Sequence, residues 1–129
     1  MQQLPKETLI ELWLERSQKA LKAAENNVTS NDLEASLNRV YYAIFYAVRA
    51  LAEKENFTTS KHASLMGWFN KKFVYEDKVF APELFEVYRK SFEYREKSDY
   101  NVIYKPDLKT IQKLLADAKV FVEEVRKVT

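Results

Sequence analysis

The sequence predicts an all-α protein, an antiparallel bundle of about five helices with short connections. Two observations lead there. The 129 residues include one glycine and three prolines, and a sandwich or barrel needs such residues at turn after turn. Apolar residues also recur at three- and four-residue steps in five separate stretches, which puts each set on one face of a helix. Hydrophobic residues make up 47% and charged residues 31%. That globular balance fits one domain over 1–129, long enough to bury roughly two-thirds of its unfolded surface.

Helix 1 is expected from about Pro5 to Asn26, with Pro5 at the first helical position, where a missing N–H is harmless. Ile10, Trp13, Leu14, Ser17, Ala20, Leu21 and Ala24 share its face. The run Asn26 to Asn31 breaks the pattern, and Ser30 or Asn31 suits the cap of the next helix. Helix 2, about Asp32 to Glu55, is apolar or aromatic around most of its middle and should be the central helix. After Asn56–Thr59, helix 3 runs from near Ser60 to about Phe73, with Leu65, Met66, Phe69 and Phe73 as its core face. Val74–Phe80 reads as a connector. Helix 4 starts at Ala81-Pro82-Glu83 and ends near Tyr100, and helix 5 starts at Pro106-Asp107 and carries Ile111, Leu114, Leu115, Ala118, Phe121, Val122 and Val125.

Composition removes several function classes. Cysteine is absent and His62 is the sole histidine, so thiol nucleophiles, zinc ribbons, Fe–S clusters and HExxH sites are out. One glycine cannot build a phosphate-binding loop or a dinucleotide fingerprint. The carboxylates Glu83, Glu86 and Glu93 show no ligand spacing, so neither a metal nor a cofactor is expected. A net charge of +2 is far from that of a dedicated DNA-binding domain. No run approaches the ~18–20 apolar residues of a membrane span, and Met1-Gln2-Gln3-Leu4-Pro5 does not open like a signal peptide. The expectation is a soluble cytoplasmic protein with no membrane contact.

The candidate site lies on helices 2, 3 and 4. Arg95 and Asp99 are one turn apart, followed by Tyr100; Arg39 and Tyr42 are likewise one turn apart, followed by Tyr46. Each arginine sits in an aromatic-rich face, where an unpaired cation is costly, so Arg39, Arg95, Asp99 and Tyr100 are expected to cluster. The plainer alternative is a surface ion pair between Arg95 and Asp99, with Arg39 snorkelling. His62, in the first turn of helix 3, should be neutral because a helix N-terminus disfavours the imidazolium, and it would pack against Trp68 or Tyr75. Tyr42, Tyr46, Tyr88 and Phe92 exceed what one bundle core needs, which predicts a homodimer built on helices 2 and 4.

Three segments resemble one family. Asn38-Arg39-Val40-Tyr41-Tyr42-Ala43-Ile44-Phe45-Tyr46-Ala47 resembles the "SRAYYAMFYAA" run of the HEPN superfamily. Thr59-Ser60-Lys61-His62-Ala63 resembles its "K-[ST]-H-x-G" segment, and Tyr94 to Tyr100 resembles the "R-x-x-A-D-Y" end of the fourth helix. The likeness covers about residues 8–126, in order and spacing. It implies an up-and-down four-helix core with a short extra helix, a homodimer packing helices 2 and 4, and a place among the small prokaryotic HEPN proteins paired with a minimal nucleotidyltransferase as toxin–antitoxin systems. Binding of a nucleotide or RNA would follow, with Arg39, Tyr42 and Tyr46 as binding residues.

Many HEPN proteins are metal-independent ribonucleases with an R-x4–6-H motif, in which Arg steadies the phosphorane and His moves a proton. Counting from Arg95, the histidine slots hold Tyr100, Asn101 and Val102. The alternative function is therefore a metal-independent ribonuclease toxin in which Arg95 works with Asp99, Tyr100 or His62. Some members are silenced by adenylylation of a tyrosine beyond the motif; Tyr100 and Tyr104 are the nearest candidates here.

Overall fold

The computed structural model describes residues 4–129 and is all-α; the opening Met1–Gln3 of the N-terminal segment lies outside the described residues. The helices are α1 (Lys6–Thr29), α2 (Leu33–Lys54), α3 (His62–Phe69), α4 (Pro82–Tyr100) and α5 (Leu108–Lys127). Among the described residues there is no strand, and no helix is long and apolar enough to cross a membrane.

The break between the first two helices works differently from the sequence expectation. Asn31 does not cap α2; it ends α1. It adopts φ 61°, and the N–H groups of Asn31 and Asp32 bond back to the carbonyls of Val28 and Asn27. That pair of bonds is a Schellman ending, which needs a left-handed residue. The cap of α2 falls to Asp32, whose carboxylate accepts from the Ala35 N–H at 3.2 Å. Asn56, at φ 59°, ends α2 in the same way, with Phe57 N–H on the Ala52 carbonyl at 2.9 Å. Pro5 sits just outside α1, and its carbonyl accepts the first helical bond from Leu9. Asp107 caps α5 by accepting from the Thr110 N–H and hydroxyl, so α5 begins two residues after Pro106.

α2 is the centre. Leu37, Val40, Tyr41, Ala43, Ile44, Ala47, Val48 and Ala50 are fully buried on it, and α1, α4 and α5 all pack against it. The α1–α2 seam is made of small residues: Ala20, Ala24, Ala43 and Ala47 let the two backbones approach. Two buried serines stitch it. Ser17 Oγ donates to the Ala43 carbonyl at 2.6 Å and Ser36 Oγ to the Ala24 carbonyl at 2.9 Å. Seven residues forward on α1 match seven back on α2, which is antiparallel register.

Helix 3 departs from expectation. Its α-helix stops at Phe69 and continues as a π-helical stretch, Asn70–Glu76, through what reads in sequence as the start of a connector. Phe69 and Phe73 are both in the core, and after a reversal at Lys78 (φ 51°) Phe80 joins them. Tyr88 is a further correction. It is fully buried against Phe69 and Phe121, so it belongs to the chain's own core and is no part of a dimer face.

Candidate functional site

The middle of α2 carries Tyr41, Tyr42, Phe45 and Tyr46 on two adjoining stripes, so their rings touch: Tyr41–Tyr42 at 5.2 Å, Tyr42–Phe45 at 5.7 Å and Tyr42–Tyr46 at 5.7 Å between centroids. Tyr41 is fully buried beneath them, while Tyr42, Phe45 and Tyr46 are half-buried. Onto this platform α3 brings His62 and α4 brings Arg95.

His62 lies flat on Phe45, centroids 4.3 Å apart and planes within 11°. Its Nδ1 is 2.6 Å from the Tyr41 hydroxyl. Burial holds the Tyr41 phenol far above its ordinary titration range, with nearby Arg95 pulling the other way. Burial, and then the Arg95 charge, hold His62 below the ordinary histidine range. Both groups are therefore uncharged near neutral pH. Among the described residues the Tyr41 hydroxyl makes no other hydrogen bond, so its proton is assigned to Nδ1, which leaves the imidazole proton on Nε2. The neutral state expected from the helix N-terminus is thus reached mainly through burial. The partners are Tyr41, Tyr42 and Phe45, not Trp68 or Tyr75: Trp68 stacks on Phe57 and Tyr75 is exposed.

Arg95 lies over the Tyr41 ring at 4.6 Å and within 6 Å of the Tyr42 and Phe92 rings. Its side chain is only 13% exposed. Its two terminal nitrogens donate to Asp99 at 3.3 Å and Glu96 at 3.2 Å, and its buried Nε has no partner among the described residues. So Arg95 and Asp99 do pair, but the arginine is a ring-seated, largely desolvated cation and not a surface one. Such a guanidinium is held rigidly by stacking and keeps its in-plane donors for an anion.

The remaining predicted residues divide. Arg39 lies 5.1 Å from the centre of the Tyr42 ring and donates twice to the Asn38 side chain; it shares that ring with Arg95. Tyr46 adjoins Tyr42 but turns toward α1, stacking on Trp13. Tyr100 does not join. It is 80% exposed at the end of α4, in a tip with Val102 and Ile103, which are also exposed. One residue past Asp99 is about 100° round a helix, which turns it off the shared face. Tyr41, Phe45 and Glu96 were missed as site residues. Tyr41 and Phe45 lie in the apolar and aromatic middle of helix 2, and only the approach of α3, with His62 21 residues beyond Tyr41, gives them a polar partner.

Among the described residues no group of three or more His, Asp or Glu side chains is placed to hold a metal ion; Glu86 and Glu93 both grip Arg89.

The profile of the HEPN domain matches residues 10–128. A UPF0332 protein of Thermotoga maritima is 32% identical over 122 residues, 95% of this chain and 92% of that protein. Two Methanocaldococcus jannaschii proteins, each named "Putative toxin", are 28% and 29% identical, covering 92% of this chain and 80% and 87% of their own lengths.

Proposed function

Since this chain belongs to the HEPN domain family, we propose that it is the HEPN component of a toxin–antitoxin or related two-component system, paired with a minimal nucleotidyltransferase, and that it contacts RNA through Arg95. The observation that carries the reading is the ring-seated Arg95, whose Nε is buried without a partner among the described residues. A phosphate oxygen replacing Asp99 or Glu96 on this guanidinium gains a charge-assisted bond in a partly desolvated site. The relatives named as toxins support the assignment. Working as a homodimer along α2 and α4 belongs to the same proposal. Tyr42 and Phe92 are half-exposed there, and Val102 and Ile103 project beyond α4.

Expression in a bacterial host without a partner gene tests this. Wild type should arrest growth, and Arg95→Ala, folded by circular dichroism, should relieve the arrest. Equal arrest by the variant, or none by wild type, overturns the reading.

Metal-independent RNA cleavage is the second reading, and the 2.6 Å Tyr41–His62 contact makes His62 its best partner for Arg95, ahead of Asp99 or the exposed Tyr100. The same contact restrains it. With Nδ1 occupied by the Tyr41 proton, His62 offers an Nε2–H donor to a phosphate oxygen, while accepting the 2′-hydroxyl proton at Nε2 requires the other tautomer. Tyrosine cannot substitute near neutral pH. Binding with slow cleavage is the expected behaviour.

A further inference from the structure

The aromatic platform does not end at Tyr46. Ring centroids continue in short steps, Tyr42 to Tyr46 at 5.7 Å and Tyr46 to Trp13 at 5.9 Å, carrying the surface from α2 onto α1. Cations ride on this ladder. Arg39 lies over Tyr42, and Arg16 over both Tyr46 and Trp13, at 5.9 and 5.6 Å. Arg49 lies over Trp13 at 5.0 Å, fixed by a bond to the Thr59 carbonyl.

These arginines differ from those elsewhere. Arg89 and Arg126 are each paired with a carboxylate on their own helix. Arg16, Arg39 and Arg49 have no carboxylate within 4 Å among the described residues. Between α1 and α2, Arg16, Lys19 and Arg39 line one groove of about 320 Å³ over the Tyr46 ring, and no acidic residue lines it. Unpaired guanidiniums above half-exposed ring faces suit a ligand that is both anionic and flat.

We propose that this face is a track for single-stranded RNA, with phosphates on Arg16 and Arg39 and a base on the Trp13–Tyr46 pair, leading to Arg95. The inference rests on the RNA reading above and adds where the strand runs. A duplex is disfavoured because its base faces are stacked internally, whereas single strands offer them to aromatic side chains. Arg39 is shared by the ladder and the groove, so one phosphate there links the track to the Arg95 platform.

Anisotropy with a fluorescein-labelled single-stranded RNA decamer, and with the same sequence as a duplex, tests it in EDTA across a salt series. The Arg16→Ala/Arg39→Ala double variant should bind the single strand roughly tenfold more weakly or worse. Its log-affinity against log-salt slope should flatten by about 1.4, for two lost phosphate contacts. RNA should quench tryptophan emission, and Trp13→Phe, which keeps a ring in place, should remove that quench. Helical signal and molecular mass should stay unchanged. If Arg95→Ala weakens binding and the double variant does not, the track is wrong while the Arg95 reading stands. If wild type binds no RNA, both fall. If the double variant alters only the mass by light scattering, the face belongs to a second copy and the proposal is overturned. Preference for the duplex also overturns it.

Discussion

His62 is the side chain on which the site's pH behaviour turns. Burial and Arg95 hold its pKa below the ordinary value near 6.5. As pH falls, the unfolded chain takes up this proton before the folded one does. The associated stability is therefore complete above about pH 6.5 and declines below it. Urea midpoints should fall between pH 7.5 and pH 5.5, and His62→Gln should flatten that fall; a variant with an undiminished fall would contradict it. Tyr41→Phe removes one bond and orphans Nδ1, for a loss of about 1 kcal/mol by the same titration. Little of this was legible beforehand. Spacing along one helix shows Arg95 beside Asp99 and Arg39 beside Tyr42, and both pairings hold up to the shared Tyr42 ring. It cannot show a contact between Tyr41 and a histidine 21 residues on, which depends on how the Asn56–Thr59 loop folds α3 back. Tyr100 failed for a simpler reason: adjacency in sequence is not adjacency on a helix.

For the helices, periodicity located all five, because burying one stripe is what makes each helix stable. Their ends were less legible, since Asn serves equally as an N-cap and as a left-handed C-terminal residue. Only the backbone angle separates the two roles. Asn56→Ala should cost about 1–2 kcal/mol, the penalty of a left-handed residue with an ordinary Cβ, while Asn56→Gly should leave the urea midpoint unchanged or raised. A harmless alanine would show that Asn56 does not terminate α2. The α1–α2 seam makes a second demand. Ala24 is fully buried where Ser36 bonds its carbonyl, so Ala24→Leu should cost about 1–3 kcal/mol through overpacking, measured by thermal unfolding. The π-helical stretch was not legible, because apolar spacing along Phe69 and Phe73 fits a continuing α-helix as well.

Across the molecule, the aromatic excess noticed in sequence divides into two populations. Tyr88, Phe69 and Phe121 fill the core, whereas Tyr42, Phe45, Tyr46 and Phe92 remain half-exposed, Tyr42 and Phe92 beside Arg95, Phe45 under His62 and Tyr46 against Trp13. A dimer along α2 and α4 should bury at least ~1,200 Å², and light scattering at tens of micromolar should return twice the chain mass; a monomer contradicts that arrangement. The central claim is that Arg95, seated on Tyr41 beside neutral His62, receives an RNA phosphate without a metal ion. Titrating a labelled single-stranded RNA in EDTA with wild type and Arg95→Ala tests it most directly. Wild type should bind, and the variant should bind at least ~10-fold more weakly, as expected for a lost charge-assisted bond. Equal affinity for the two proteins, or binding that appears only with added Mg²⁺, would contradict the account.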